Sequence, residues 1–247
     1  MLSFWAKTSG TRINVMTILL GTGVGLLLRD RLPQAMRQII TQAVGLMTLV
    51  IGFSMVQSLP QIEAGPIDGI ILALLAMVAG GLLGEWAQIE KRLIDVGDFL
   101  KKQFRGGGRF TEGFVAASLL FVIGPMAILG SLNNGLSGDH TILALKSTMD
   151  GLASIALTGS YGVGVGFSIL PVFIYQAGLS LLSGTLATTL PDPVNDPRIL
   201  IVTGIGGMII LGLSLNLLEV GKVRVASFLP ALLVGPLVVA AAQALQP

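Results

Sequence analysis

The chain has 247 residues, of which 53% are hydrophobic and only 11% charged, and it carries 33 glycines, no cysteine and a net charge of +2. A soluble domain averages about 25% charged residues, so this composition leaves too few charges to clothe a water-facing surface and excludes a soluble globular enzyme. It also excludes a disordered chain and a disulfide-stapled secreted domain, and so small a net charge gives no footing for a nucleic-acid partner.

A helix needs roughly 20 mostly apolar residues to cross ~30 Å of hydrocarbon. Stretches of this kind fall at 13–28, 38–59, 67–84, 113–132, 143–159, 162–187, 199–218 and 225–245. They predict eight spans, or seven plus a re-entrant element, because Lys146 and Asp150 lie inside the fifth. The expected fold class is therefore all-α: a polytopic bundle of seven or eight transmembrane helices, one transmembrane domain over 1–247, with the lipid bilayer as its surroundings. The first stretch runs straight into Arg29-Asp30-Arg31 with no small-residue cleavage site, so it reads as a retained span rather than a cleaved signal.

Cationic loops stay cytoplasmic. With eight spans one side holds eleven lysines and arginines, from Arg29, Arg31 and Arg37 through the 91–109 segment to Lys222 and Arg224, against Lys7, Arg12 and Arg198 on the other. That bias puts the basic loops on the cytoplasmic side and both termini outside.

The long polar segment 85–110 places Trp86, Ile89, Leu93, Val96, Leu100 and Phe104 at helical spacing between charges. It reads as an amphipathic helix at the cytoplasmic interface, ended by the hinge Gly106-Gly107-Gly108. Farther on, Pro125 should kink the fourth span and Pro171 the sixth. The polar pair Asn133-Asn134 follows the fourth span, Tyr175 and Gln176 lie deep in the sixth, and Asn216 with Glu219 closes the seventh.

The fifth stretch carries the chemistry the composition least expects. Lys146 and Asp150 are four apart, on one helix face, and Ser147, Ser154 and Thr158 extend a polar stripe along roughly that side. An ionisable residue inside a span costs a few kcal/mol on insertion scales, so it normally faces a partner or a hydrated cavity. After it, GVGVG at 162–166 lacks the preceding strand and following lysine of a phosphate loop, and reads as close packing or a break in the helix.

GLLLRDRL at 25–32 and GLLGEWAQ at 81–88 each close a span and turn polar, and LVIGFSMVQSL at 49–59 echoes FVIGPMAILGSL at 121–132 and MIILGLSLNLL at 208–218. FSILP at 167–171 likewise echoes ASFLP at 226–230. Their order suggests internal helical-hairpin repeats, partly inverted, as in secondary transporters.

The texts ILLGTGVGLLLRDRLP, QAVGLMTLVIGFSM, FVIGPMAILGSLNNGL, LKSTMDGLASIA, FSILPVFIYQAGLSLL and GGMIILGLSLNLLEVGKVRVASFLPALL resemble the bacterial YqgA/YdfK-like family, domain of unknown function 554, over about residues 13–243. The resemblance implies a polytopic inner-membrane protein. It supplies neither a substrate nor functional residues.

Two function classes follow. In the first, the chain is a secondary transporter or permeation pathway for a small polar solute or ion, lined by Lys146, Ser147, Asp150, Ser154, Thr158, Asn133, Asn134 and Asn216. In the second, it is a membrane scaffold that assembles through glycine-rich faces, with 85–110 as a docking surface and the charged pair as a structural tie. The glycine faces suit a homodimer under either. With no cysteine and one histidine, Cys/His metal sites and Cys–His nucleophiles are absent, so neither enzymatic activity nor a cofactor is expected.

Overall fold

The computed structural model describes residues 3–29, 31–65, 67–189 and 194–244, and no strand occurs among them. Its helices are α1 (Phe4–Lys7), α2 (Ser9–Arg29), α3 (Gln34–Val56), α4 (Gly69–Trp86), α5 (Ile89–Gln103), α6 (Phe110–Val122), α7 (Pro125–Ser137), α8 (Thr141–Tyr161), α9 (Ile169–Thr189), α10 (Pro197–Leu217) and α11 (Ala231–Gln243). Among the described residues six segments are long and apolar enough to cross a membrane: Ser9–Arg29, Gln34–Gln61, Gly69–Trp86, Val163–Thr185, Pro197–Leu217 and Val225–Gln243. The pair Phe110–Val122 and Pro125–Ser137, bent by 61°, makes a seventh if taken as one span. Seven is the lower of the two counts expected from the sequence. The charged pair and hydroxyls of α8 keep that helix out of the apolar set.

The chain divides into two compact units, the first of residues 1–44 and 94–191, the second of 45–93 and 192–247. In the first unit α2 lies directly on α8. A Cβ added at Gly10 would fall 2.7 Å from Leu143, one at Gly21 2.3 Å from the Gly151 carbonyl oxygen, and one at Gly25 2.7 Å from that of Ile155. The contact therefore advances in the same direction along both helices, so they run parallel. It extends over about 15 residues of each, or roughly 22 Å at the α-helical rise. Lipid supplies no hydrophobic drive for association, and backbone-to-backbone contact through small residues takes its place.

The α6–α7 break follows from sequence. Pro125 has no N–H and cannot continue α6, so Gly124 turns the chain and Pro125 opens α7. Pro171 behaves differently from its expected role. Helix α9 begins at Ile169, which puts this proline in the first turn, where its missing N–H has no intrahelical partner to lose. The kink is replaced by a 3-10 stretch, Val163–Ser168, entered through Gly162 at φ +88°, a conformation that favours glycine. Gly164 in this stretch is packed tightly, since a Cβ there would lie 2.0 Å from the Phe110 carbonyl oxygen.

The amphipathic segment is shorter than 85–110: α5 covers Ile89–Gln103, and Trp86 ends α4 instead. Of the expected apolar row, Leu100 is buried, whereas Trp86, Val96 and Phe104 are exposed. Asp98 accepts a 2.6 Å hydrogen bond from Thr111, tying the end of α5 to α6.

In the second unit α4 packs on α11 and its entry. A Cβ at Gly80 would meet Ala231 at 2.4 Å, and one at Gly84 would meet the Ser227 carbonyl oxygen at 1.9 Å. Helix α10 runs antiparallel to the end of α3, with Ser214 Oγ donating to the Gly45 carbonyl (2.7 Å) and Ser58 Oγ to that of Leu200 (2.8 Å). FSILP and ASFLP take the same local form, a 3-10 turn ending near the serine and opening into a helix.

Helix α10 starts at an N-cap, Asp196, whose carboxylate accepts from the backbone N–H of Arg198 (2.8 Å) and from its guanidinium (2.9 and 2.7 Å). These bonds hold the Asp196 carboxyl below the ordinary carboxylate value. Because the folded-state value is depressed, the cap stabilises fully above the unfolded value of ~3.9 and is lost as pH falls through the lower folded one. Asp196→Ala should cost about 1 kcal/mol at neutral pH, read as a shift in thermal unfolding in detergent. That cost should vanish in acid.

Candidate functional site

Within the first unit the side chains of α8 fall into two sets. Ser147 Oγ donates to the Leu143 carbonyl (2.6 Å) and Ser154 Oγ to that of Asp150 (2.7 Å), so each hydroxyl bonds back to the preceding turn of its own helix. Ser154 and Thr158 also form the floor on which Gly21 and Gly25 sit. The predicted polar stripe is therefore mostly the contact surface for α2.

The charged pair stands apart from that stripe. Lys146 Nζ donates to Asp150 Oδ2, and both side chains are buried, at 8% and 9% exposure. Asn14 of α2 donates through Nδ2 to the same Asp150 oxygen (2.9 Å) and to Gln176 Oε1 of α9 (3.4 Å). Lys146 Nζ also lies 6.0 Å from the centroid of the Phe121 ring, near the α6 end of the helix break. Four elements thus meet at one charged centre. Asp150 is about 14 Å along the helix axis from Thr141 and about 17 Å from Tyr161, near the middle of α8. The unwound stretch beginning at Gly162 is about 18 Å farther along than Asp150, level with the start of α6. The glycine-rich 162–166 stretch therefore breaks the helix at a distance from the charged pair and does not adjoin it.

Two atoms in this cluster have no hydrogen-bond partner despite full burial: Asn14 Oδ1 and Gln176 Nε2. Thr11 Oγ1, one turn before Asn14 on α2, is likewise unpartnered. Buried polar atoms are normally satisfied; an idle acceptor and an idle donor lie beside the charged pair here, while Thr22, Ser118, Ser131, Thr158 and Ser168 carry idle hydroxyls elsewhere.

The predicted site residues divide rather than converge. Asn134 is fully buried but serves the start of α2: its Oδ1 accepts from Gly10 N–H (3.0 Å), and its Nδ2 donates to the Ala6 carbonyl (3.1 Å) and Ser9 Oγ (2.9 Å). Asn133 is exposed. Asn216 belongs to the second unit, where its carboxamide both accepts from Val223 N–H (2.7 Å) and donates to the Val223 carbonyl (2.8 Å), closing a loop. Asn14 was absent from the predicted set. Its signal was available as a lone amide on the small-residue face Thr11, Asn14, Thr17, Gly21, Gly25, which marks the side of α2 turned to protein.

A helical membrane protein with an ion pair and two carboxamides buried together inside one bundle is the class these observations define. The chain belongs to the family described as "Protein of unknown function (DUF554)", which matches residues 9–240. It is 29% identical over 231 residues to "Uncharacterized membrane protein YdfK" of Bacillus subtilis (strain 168), covering 93% of this chain and 95% of that protein. It is also 29% identical over 231 residues to "Uncharacterized protein YqgA" of Escherichia coli (strain K12), covering 91% and 93%. No solved structure matches the chain.

Proposed function

We propose that the protein is a secondary transporter or permeation pathway for a small solute or ion in the bacterial cytoplasmic membrane, with Lys146, Asp150, Asn14 and Gln176 as its binding centre. The observation that carries this reading is a buried charged pair with idle hydrogen-bonding atoms beside it. Stability gives no sufficient reason to keep such a pair, because well-packed apolar residues of similar volume are often neutral or better there. Ionisable residues within a membrane bundle ordinarily mark an ion or substrate route. Because α8 runs beside α2 over most of its length, we read it as a further crossing whose polarity is sheltered by its neighbours.

The test is flux into proteoliposomes of purified protein, across a panel of small ions and polar solutes. Wild type should move at least one of them. The neutral double variant Lys146→Met/Asp150→Leu should be folded and move none. If that variant transports as wild type does, or wild type moves nothing in the panel, the reading falls.

A further inference from the structure

We infer, resting on that reading, that the centre takes up a small monovalent anion together with a proton. The anion would sit on Lys146 and Gln176 while the proton sits on Asp150. As built, Lys146 and Asp150 neutralise each other, and a net charge added to a buried site is opposed by desolvation. A monovalent anion is therefore tolerated only if one positive charge arrives with it, and protonation of Asp150 supplies that charge.

While Asp150 is ionised it accepts from Lys146 and from Asn14 Nδ2, and Asn14 Oδ1 has nothing to do. When Asp150 gains a proton it becomes a donor, and a turn of the Asn14 carboxamide presents this idle oxygen as its acceptor, giving up the 3.4 Å bond from Asn14 Nδ2 to Gln176 Oε1 and freeing the Gln176 carboxamide to turn. Lys146 then loses its counter-charge. Its ammonium hydrogens and the idle Nε2 of Gln176 are left as donors with no acceptor, which is what an anion provides. The two orphaned atoms are thus the pair that a proton and an anion would satisfy. Proton and anion bind without any bond to carbon or any redox change, and both leave on the other side.

The groups facing Asp150 bear on its titration. They are Lys146 on its own helix, the neutral Asn14 on α2 and, through Asn14, the neutral Gln176 on α9 with Tyr175 beside it in the chain. From α6 the ring of Phe121 faces Lys146. Asn14 and Gln176 are fully buried, so the anion has to be small.

The experiment uses the whole protein in detergent, weakly buffered, with sodium chloride or sodium nitrate as probe and sodium gluconate as control. Chloride or nitrate should raise the melting temperature at pH 5 more than at pH 8, and should make the solution more alkaline as protons are taken up. Asp150→Asn, a fixed neutral amide, should keep the stabilisation, lose its pH dependence and take up no proton. Lys146→Met should lose the stabilisation. Binding with no proton uptake in wild type overturns the inference, as does an absence of stabilisation by either anion at pH 5. If vesicles transport a solute but binding is not proton-linked, transport stands and this assignment fails. Proton-linked binding without vesicle flux leaves the assignment standing and removes the transport reading.

Discussion

Lys146→Met should lower the stability of the detergent-solubilised protein by about 3–5 kcal/mol, while Lys146→Met/Asp150→Leu should recover most of that loss. For a chain of this size, a loss of ~3 kcal/mol corresponds to a fall of roughly 6–12 °C in melting temperature. The single change leaves the Asp150 carboxylate buried, with Asn14 Nδ2 as its remaining side-chain donor at 2.9 Å. One neutral hydrogen bond does not replace a lost counter-charge in a low-dielectric interior. The double change removes both charges and replaces them with groups of comparable bulk. Thermal melts of the three proteins check this, and a double variant as unstable as the single one would mean that the pair is a structural tie between the helices. That outcome would favour the scaffold reading. Recovery of stability together with loss of flux would separate folding from function at this site.

The second large effect concerns the α2–α8 contact. Gly21→Leu should be destabilising by at least the ~1–3 kcal/mol typical of overpacking, because even its Cβ would stand 2.3 Å from a backbone oxygen of Gly151. Backbone cannot swing aside as a flexible side chain can, so the two helices must part. Asn14 lies two turns earlier on the same face of α2, and its bond to Asp150 should lengthen as they do. The variant is therefore expected to lose flux as well as stability, although residue 21 touches none of the four polar side chains. Gly23→Leu supplies the control: nothing lies within 4 Å of a Cβ there, so its effect should stay within about 0.5 kcal/mol. Equal losses at the two positions would show that the close approach is not responsible, because leucine is the better helix former at both.

Much of this centre was legible in the sequence, but not its membership. Lys146 and Asp150 announced themselves as charges in an apolar stretch at helical spacing, and the fold pairs them. Asn133, Asn134 and Asn216 carried an equally plain polar signal and went elsewhere: to the surface, to the start of α2 and to a loop of the other unit. An asparagine in a membrane segment is as useful for closing a backbone turn as for meeting a ligand. Composition does not tell these uses apart, because both satisfy the same donor and acceptor. Gln176 was visible as a polar residue deep in its span, but its partner on α2 lies 162 positions away in the chain.

Local sequence is enough to make the chain an all-helical membrane protein, to place most of its crossings and to bend the fourth span at Pro125. These are consequences of local chemistry: the run of apolar residues, the missing proline N–H and the scarcity of charge. Tertiary structure alone decided which polar side chains share one interior. Helix α2 lies along α8 because glycines let their backbones touch, and that registry brings Asn14 to Asp150. A charge content of 11% is too little for a water-facing surface. The fold shows that two of those few charges are not on any surface at all.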